Sequence, residues 1–185
     1  MNELNFPDDF PVLETDRLTL SQFSADDASD FFNLRSDKEF MKYLGLSPMT
    51  KVSEARNRVH SIIQAFDTSE GITWKIALKG ESKLIGYIGF WRIFFSHFRG
   101  EVGFGIDESY QQQGYMSEAI EAVILWGFDT LGLHSIKADV DPRNKGSIRV
   151  IEKFNFKKEA HLRENYFFNG EFLDSLYYGL LKSDF

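Results

Sequence analysis

A chain of 185 residues has the size of one domain, and at that length folding buries roughly 70% of the unfolded surface. It is 43% hydrophobic and 26% charged, near the globular average, and has no cysteine, which excludes a disulfide framework, a cysteinyl intermediate and Cys-ligated zinc. A formal charge of −7 argues against nonspecific nucleic-acid binding and favours cationic partners such as amines.

No apolar run reaches the ~18 residues that span a membrane. The acidic start, Met1 to Phe10, has neither the basic nor the apolar region of a signal, so a cytoplasmic protein without a membrane partner is expected.

Leu18, Leu20 and Gln22 alternate behind Glu14-Thr15-Asp16-Arg17 and read as a first strand. Ser24 offers an N-cap, with Asp26 and Asp27 in the first turn of a helix to about Arg35. A second helix opens at Ser53-Glu54 and carries Val59, Ile62, Ile63 and Phe66 at helical spacing. From Ile72 the period becomes two. Ile72, Trp74, Ile76 and Leu78 alternate, Lys79-Gly80-Glu81-Ser82 makes a turn, and a second run extends from Leu84 to Ile93.

The strand Glu101 to Ile106 places Val102, Phe104 and Ile106 on one face and Glu101, Gly103 and Gly105 on the other, which is bare apart from the carboxylate. An amphipathic helix follows from Ser117 to Leu131, then a strand from Ser135 to Val140 and a short helix from Gly146 to Phe154. Asn169-Gly170 between the runs Phe156–Phe168 and Glu171–Leu181 predicts a hairpin. The order β, α, α, β, β, β, α, β, α, β, β predicts a mixed sheet with helices on both faces.

The segment Gln111-Gln112-Gln113-Gly114-Tyr115-Met116-Ser117 joins the glycine-bearing strand to a helix start. Free backbone N–H groups there, with the positive end of the helix dipole, suit a pyrophosphate, and Gly114 removes a Cβ from its path. An ordinary connecting turn is the alternative. The basic residues Arg143, Lys145, Arg149 and Lys153 could meet a phosphate, or form a solvated helix face balanced by Glu152.

Across Leu13 to Leu181 the sequence resembles the GNAT superfamily of N-acetyltransferases, in its ribosomal-protein N-acetyltransferase-like (RimJ/RimL-type) branch. The resemblance rests on Gln111, Gly114 and Met116 of the pyrophosphate loop, Glu118-Ala119 behind it, and Asn144 to Ser147. It extends to Arg163-Glu164, Asn169-Gly170-Glu171 and Asp174 to Tyr178. Met116 stands where the family keeps a small residue, and Asn155 where a Gly precedes Phe156. A flexible Met can turn away from phosphates that are bound by backbone.

The resemblance implies one mixed α/β domain over residues 13–182, behind an N-terminal extension, residues 1–12. Its sheet would have about seven strands, splayed beside the glycine-bearing strand. Acetyl-CoA would be the co-substrate, with Phe104, Gly105 and Ile106 pairing with the pantetheine arm and Gln111 to Ser117 taking the pyrophosphate. Asn144 would cap its helix or bond the pantetheine arm, and, independently of the resemblance, Arg149 of the basic set would meet the coenzyme's 3′-phosphate.

Transfer to an amine needs a base, because amines of pKa ~8 to ~10.4 are protonated at neutral pH. Glu101 is the candidate, directly or through a water, although an exposed edge charge paired with Arg99 or Arg92 is the plainer alternative. Ser147 is the first choice for protonating the thiolate, or it caps its helix; Tyr166, Tyr177 and Tyr178 are further donors. A backbone N–H near Phe104 would meet the oxyanion.

His60, His97, His134 and His161 lack metal-ligand spacing, so no metal is expected. The apolar loop Trp91 to Phe98 walls the acceptor pocket, packs in a homodimer, or belongs to the core. The acceptor is a protein N-terminus or a small amine. A catalytically inactive CoA-binding or protein-interaction module, motivated by Met116 and Asn155, is the reading of a different class.

Overall fold

The structure is a computed structural model and describes residues 3–185. Eight strands form one sheet: β1 (Leu13–Glu14), β2 (Leu18–Gln22), β3 (Ile72–Leu78), β4 (Gly86–Phe94), β5 (Arg99–Ile106), β6 (Ser135–Val140), β7 (Lys157–Phe168) and β8 (Glu171–Leu181). Their spatial order is β1-β2-β3-β4-β5-β6-β8-β7. Only β5 and β6 pair in parallel. A parallel neighbour needs a crossover, which α4 (Tyr115–Trp126) supplies.

The other helices are α1 (Ala28–Ser36), α2 (Lys38–Met41), α3 (Val52–Asp67) and α5 (Lys145–Lys153). The strand beyond the expected seven is β1, too short at two residues to show a period. Helix α2, four residues long behind its Asp37 cap, was also not anticipated. The helix expected to reach Leu131 ends at Trp126 and continues as a π-turn over Gly127–Leu131. Gly127 lies there because a Cβ would stand 2.7 Å from the Phe90 ring.

The sheet separates two apolar layers. One holds Ile88, Phe90, Val102 and Ile106 of the strands against Ile120, Val123 and Ile124 of α4, with Ile148 and Ile151 of α5 behind β6 and β8. The other, under α1 and α3, gathers Phe23, Phe31, Leu34, Ala55 and Val59. The N-terminal residues lie on the first layer: Asn5 N–H donates to Leu131 O at 2.9 Å, Trp74 Nε1 to Pro11 O at 2.7 Å, and Phe10 packs on Phe66 and Trp74.

Two turns follow from residue choice. Asn169 and Gly170 both have positive φ, 50° and 87°, as the tight hairpin between β7 and β8 requires. Asn155, after α5, sits at φ 62°, a left-handed helix end for which Asn is the best replacement for Gly. Its side chain then donates to Asp184 O at 3.1 Å. The departure from glycine at this position is therefore compatible with an unchanged backbone.

Candidate active site

The register of β5 creates the site. Its pairing with β6 covers only Arg99↔Ser135, Gly100↔Ile136 and Glu101↔Lys137, and then stops. On the other side β5 stays paired with β4 as far as Gly86↔Ile106. Asp107 N–H donates to Ile85 O, so Gly105 and Gly103, in alternation with Asp107, turn their backbone groups toward β4. Phe104 and Ile106 turn theirs the other way, into the fork that opens where β6 departs. Gln111 Nε2 donates to Ile106 O at 3.3 Å, and by the register the Phe104 and Ile106 N–H groups face away from β4, past the last β6 pair.

Two expectations about the glycines need correction. The Gly103/Gly105 face is not bare: a Cβ at Gly105 would stand 2.6 Å from Phe40 Cζ, and one at Gly103 3.2 Å from Trp91 Cδ1. These glycines admit aromatic side chains of α2 and of a β-bulge in β4, and the open surface is the β6 side of the strand. Gly114 is also not simply a gap in front of an anion. It holds φ 84°, which disfavours any L side chain, and its missing Cβ faces Arg17 Nη2 at 3.3 Å.

The loop from Gln111 to Ser117 lies at the mouth of the fork. Gln112 and Gly114 both have positive φ, and Gly114 caps α4. Glu118 N–H makes the first helical bond, to Gly114 O at 3.0 Å. The N–H groups of Gln112, Gln113, Gly114, Tyr115, Met116 and Ser117 have no protein acceptor among the described residues. Six successive donors at a positive helix end make a cradle of the kind that suits an anion. The Met116 side chain is buried in the main core, so only its backbone belongs to the cradle.

On the sheet face that carries Gly103 and Gly105, Glu101 is 4% exposed, and its Oε2 lies 3.4 Å from Lys137 Nζ. The edge charge paired with Arg99 or Arg92 is thereby overturned, because its partner comes from the next strand. Lys137 Nζ sits 4.5 Å from the centre of the Tyr177 ring. Asp139, the next residue of β6 on this face and the first beyond the fork, pairs across to Tyr177 on β8. Burial raises its pKa against the opposing pull of Ser175 and Lys137. The expectations from sequence include neither Lys137 nor Asp139; their alternation on β6 is the only local signal.

Ser147 N–H donates to Asn144 Oδ1 at 3.0 Å, so Asn144 is the N-cap of α5, while the Ser147 hydroxyl has no protein partner among the described residues. The basic cluster does not act as a unit. Arg143 is held by Asp141 through a fork with contacts of 2.6 to 3.2 Å, which raises the arginine pKa further. Arg149 is exposed and gives Nε to Lys145 O.

The tyrosines separate as well. Tyr178 is buried and donates to Glu152 Oε1 at 2.9 Å; burial and that carboxylate push its pKa up to about 12, a structural position. Tyr166 and Tyr177 lie on the same sheet face as Glu101 and Lys137. Tyr166 packs against Gly45, and burial followed by the Asp141 charge raises its pKa.

Among the described residues no cluster of three or more His, Cys, Asp or Glu side chains could hold a metal, and no helix is long and apolar enough to cross a membrane. A family model described as Acetyltransferase (GNAT) domain matches residues 17–157. A protein of Bacillus subtilis (strain 168) named uncharacterized N-acetyltransferase YoaA is 36% identical, covering 94% of this chain and 98% of its own. The spermidine N(1)-acetyltransferase of Vibrio cholerae is 25% identical over 91% and 95% of the two chains. The crystal structure of a GNAT-family acetyltransferase from Bacillus anthracis matches with a TM-score of 0.84 at 29% identity, covering 94% of this chain and 99% of that one. Nothing in these comparisons supports a catalytically silent module.

Proposed function

We propose that this chain, which belongs to the GNAT acetyltransferase family and is an acetyl-CoA-dependent N-acetyltransferase, passes the acetyl group directly from the thioester to a primary amine in a ternary complex. The observation that carries this reading is the fork. Polar backbone at Phe104 and Ile106 faces the gap between two strands, continuous with the donors of the Gln111–Ser117 loop. An extended chain of amides ending in a pyrophosphate matches that sequence of groups.

In this reading Phe104 and Ile106 pair with the pantetheine amides, and Gly105 contributes by keeping the strand in register. The N–H groups from Gln112 to Ser117 hold the pyrophosphate, and Gln111 ties the loop to Ile106. Asn144 and Arg149, at the helix beside the fork, reach the outer part of the coenzyme. Acetyl-CoA supplies an activated acyl group.

Glu101 stands on the acceptor face at the vertex of the fork. Because Lys137 already holds it, Glu101 takes the amine's proton through a water. As the amine nitrogen bonds to the carbonyl carbon, the C–S bond breaks; the second proton that leaves the nitrogen passes to the Ser147 oxygen as its hydroxyl proton goes to the sulfur, whose free thiol has a pKa of ~8.5. A backbone N–H near Phe104 meets the oxygen that becomes negative. With no cysteine in the chain, a thioester intermediate on the protein is not part of the scheme.

The acceptor is a primary amine, either a protein N-terminal α-amine or a small polyamine-like molecule, in keeping with the carboxylates Glu101 and Asp139 on that face. Initial rates with acetyl-CoA and spermidine, or with N-terminal peptides, test the order of events. Direct transfer gives intersecting double-reciprocal lines; parallel lines would require an acetyl-enzyme and rule the scheme out.

A further inference from the structure

The turn between β1 and β2 reaches the phosphate loop across about a hundred residues of sequence. Glu118, in the first turn of α4, accepts from Thr15 Oγ1 at 2.5 Å, from Arg17 N–H at 2.8 Å and from Arg17 Nε at 2.7 Å. Arg17 Nη2 lies 2.7 Å from the same carboxylate. Its Nη1 donates to Gln113 O at 3.0 Å, and the guanidinium sits 4.5 Å from the centre of the Tyr115 ring. The Arg17 side chain is 47% exposed and that of Glu118 18%.

Two physical consequences follow. A carboxylate in the first turn of the helix that receives a pyrophosphate would repel it, unless its charge is cancelled. Arg17 cancels it with a planar fork of donors that a lysine cannot reproduce. The pull of the hydrogen bonds from Thr15 and Arg17 outweighs partial burial and holds the Glu118 pKa below the usual carboxylate range, so the pair stays ionised. The second consequence is directional. In a trans peptide the C=O and N–H point opposite ways, so drawing Gln113 O toward Arg17 turns the Gly114 N–H to the opposite side.

We infer that Arg17, clamped by Glu118, is a positioning residue for coenzyme binding: it aims the Gly114 N–H and shields the pyrophosphate from Glu118. The inference rests on the reading that the Gln111–Ser117 loop takes the pyrophosphate. It concerns binding of the coenzyme and involves no contact with the reacting atoms.

The test is equilibrium titration of CoA, dephospho-CoA and pantetheine into the wild type, Arg17→Gln, Arg17→Lys, Glu118→Gln and the double variant Arg17→Gln/Glu118→Gln. The unliganded unfolding midpoint is recorded for each. Arg17→Gln is expected to weaken CoA and dephospho-CoA alike by about tenfold or more, the size of a lost charge-assisted contact. The double variant, with no bare carboxylate at the helix start, recovers part of that loss although it has lost more bonds. Arg17→Lys falls between wild type and Arg17→Gln, and provides the comparison if Arg17→Gln does not fold.

A merely structural role predicts the opposite order, with the double variant weakest. That order, or unchanged CoA affinity in Arg17→Gln and Arg17→Lys, overturns the inference. The underlying reading fails separately, if wild-type protein binds CoA no more tightly than pantetheine.

Discussion

The two sides of the fork are made of different material. On the side proposed for the coenzyme the groups facing the gap are backbone N–H donors of Phe104, Ile106 and the loop before α4, and side chains such as Met116 point into the core. On the face proposed for the acceptor they are side chains: Glu101, Lys137, Asp139 and Tyr177. Backbone donors depend on conformation and survive most substitutions; side-chain groups change with one codon. A fold built this way can keep one coenzyme while its acceptor varies.

The contrast can be broken most sharply at Glu101. Glu101→Gln should lower kcat by about 10²- to 10⁴-fold, the usual weight of general-base catalysis, and leave CoA affinity within error of wild type. Equal losses in turnover and CoA binding would mean that the two sides are not separable. Met116→Ala reverses the pattern. It should cost about 2–4 kcal/mol of stability by opening a core cavity, with the CoA dissociation constant nearly unchanged at temperatures where the variant is folded. A large loss of affinity would bring that side chain back into the site.

The smallest effect is expected at Asp139. Its raised pKa means that its ionisation opposes folding: the contribution to stability is full below the unfolded carboxylate range and lost as pH rises through the raised value. Asp139→Asn should therefore raise stability slightly at pH 7, by less than about 1 kcal/mol because the side chain is only partly desolvated, and the gain should vanish below about pH 4. In rate measurements the same variant should raise KM for a diamine and leave KM for acetyl-CoA alone.

The elements around the fork were largely legible in the sequence because their signals are local. A strand with alternating glycines, a glycine before a helix and an Asn-Gly turn each fall within a few residues, and the strands Ser135–Val140 and Glu171–Leu181 match the predicted bounds. What could not be read depends on pairing across the chain. Glu101 meets Lys137 because β5 and β6 are parallel neighbours, and Phe40 fills the space over Gly105 from a helix too short to carry a period. The four basic residues near α5 looked like one patch along the sequence. In space Arg143 turns to Asp141 and leaves the group.

The fork also has a shape. Strands in a ladder lie ~4.8 Å apart, and β5 and β6 hold that spacing up to Glu101↔Lys137 and then separate, which makes the gap a wedge closed at one end by an ion pair. A chain lying along β5 can advance only as far as that vertex. In the proposed reading the wedge is a depth stop: an extended molecule seated there halts with its leading end beside Glu101, and a tail one bond longer or shorter would present a different atom there.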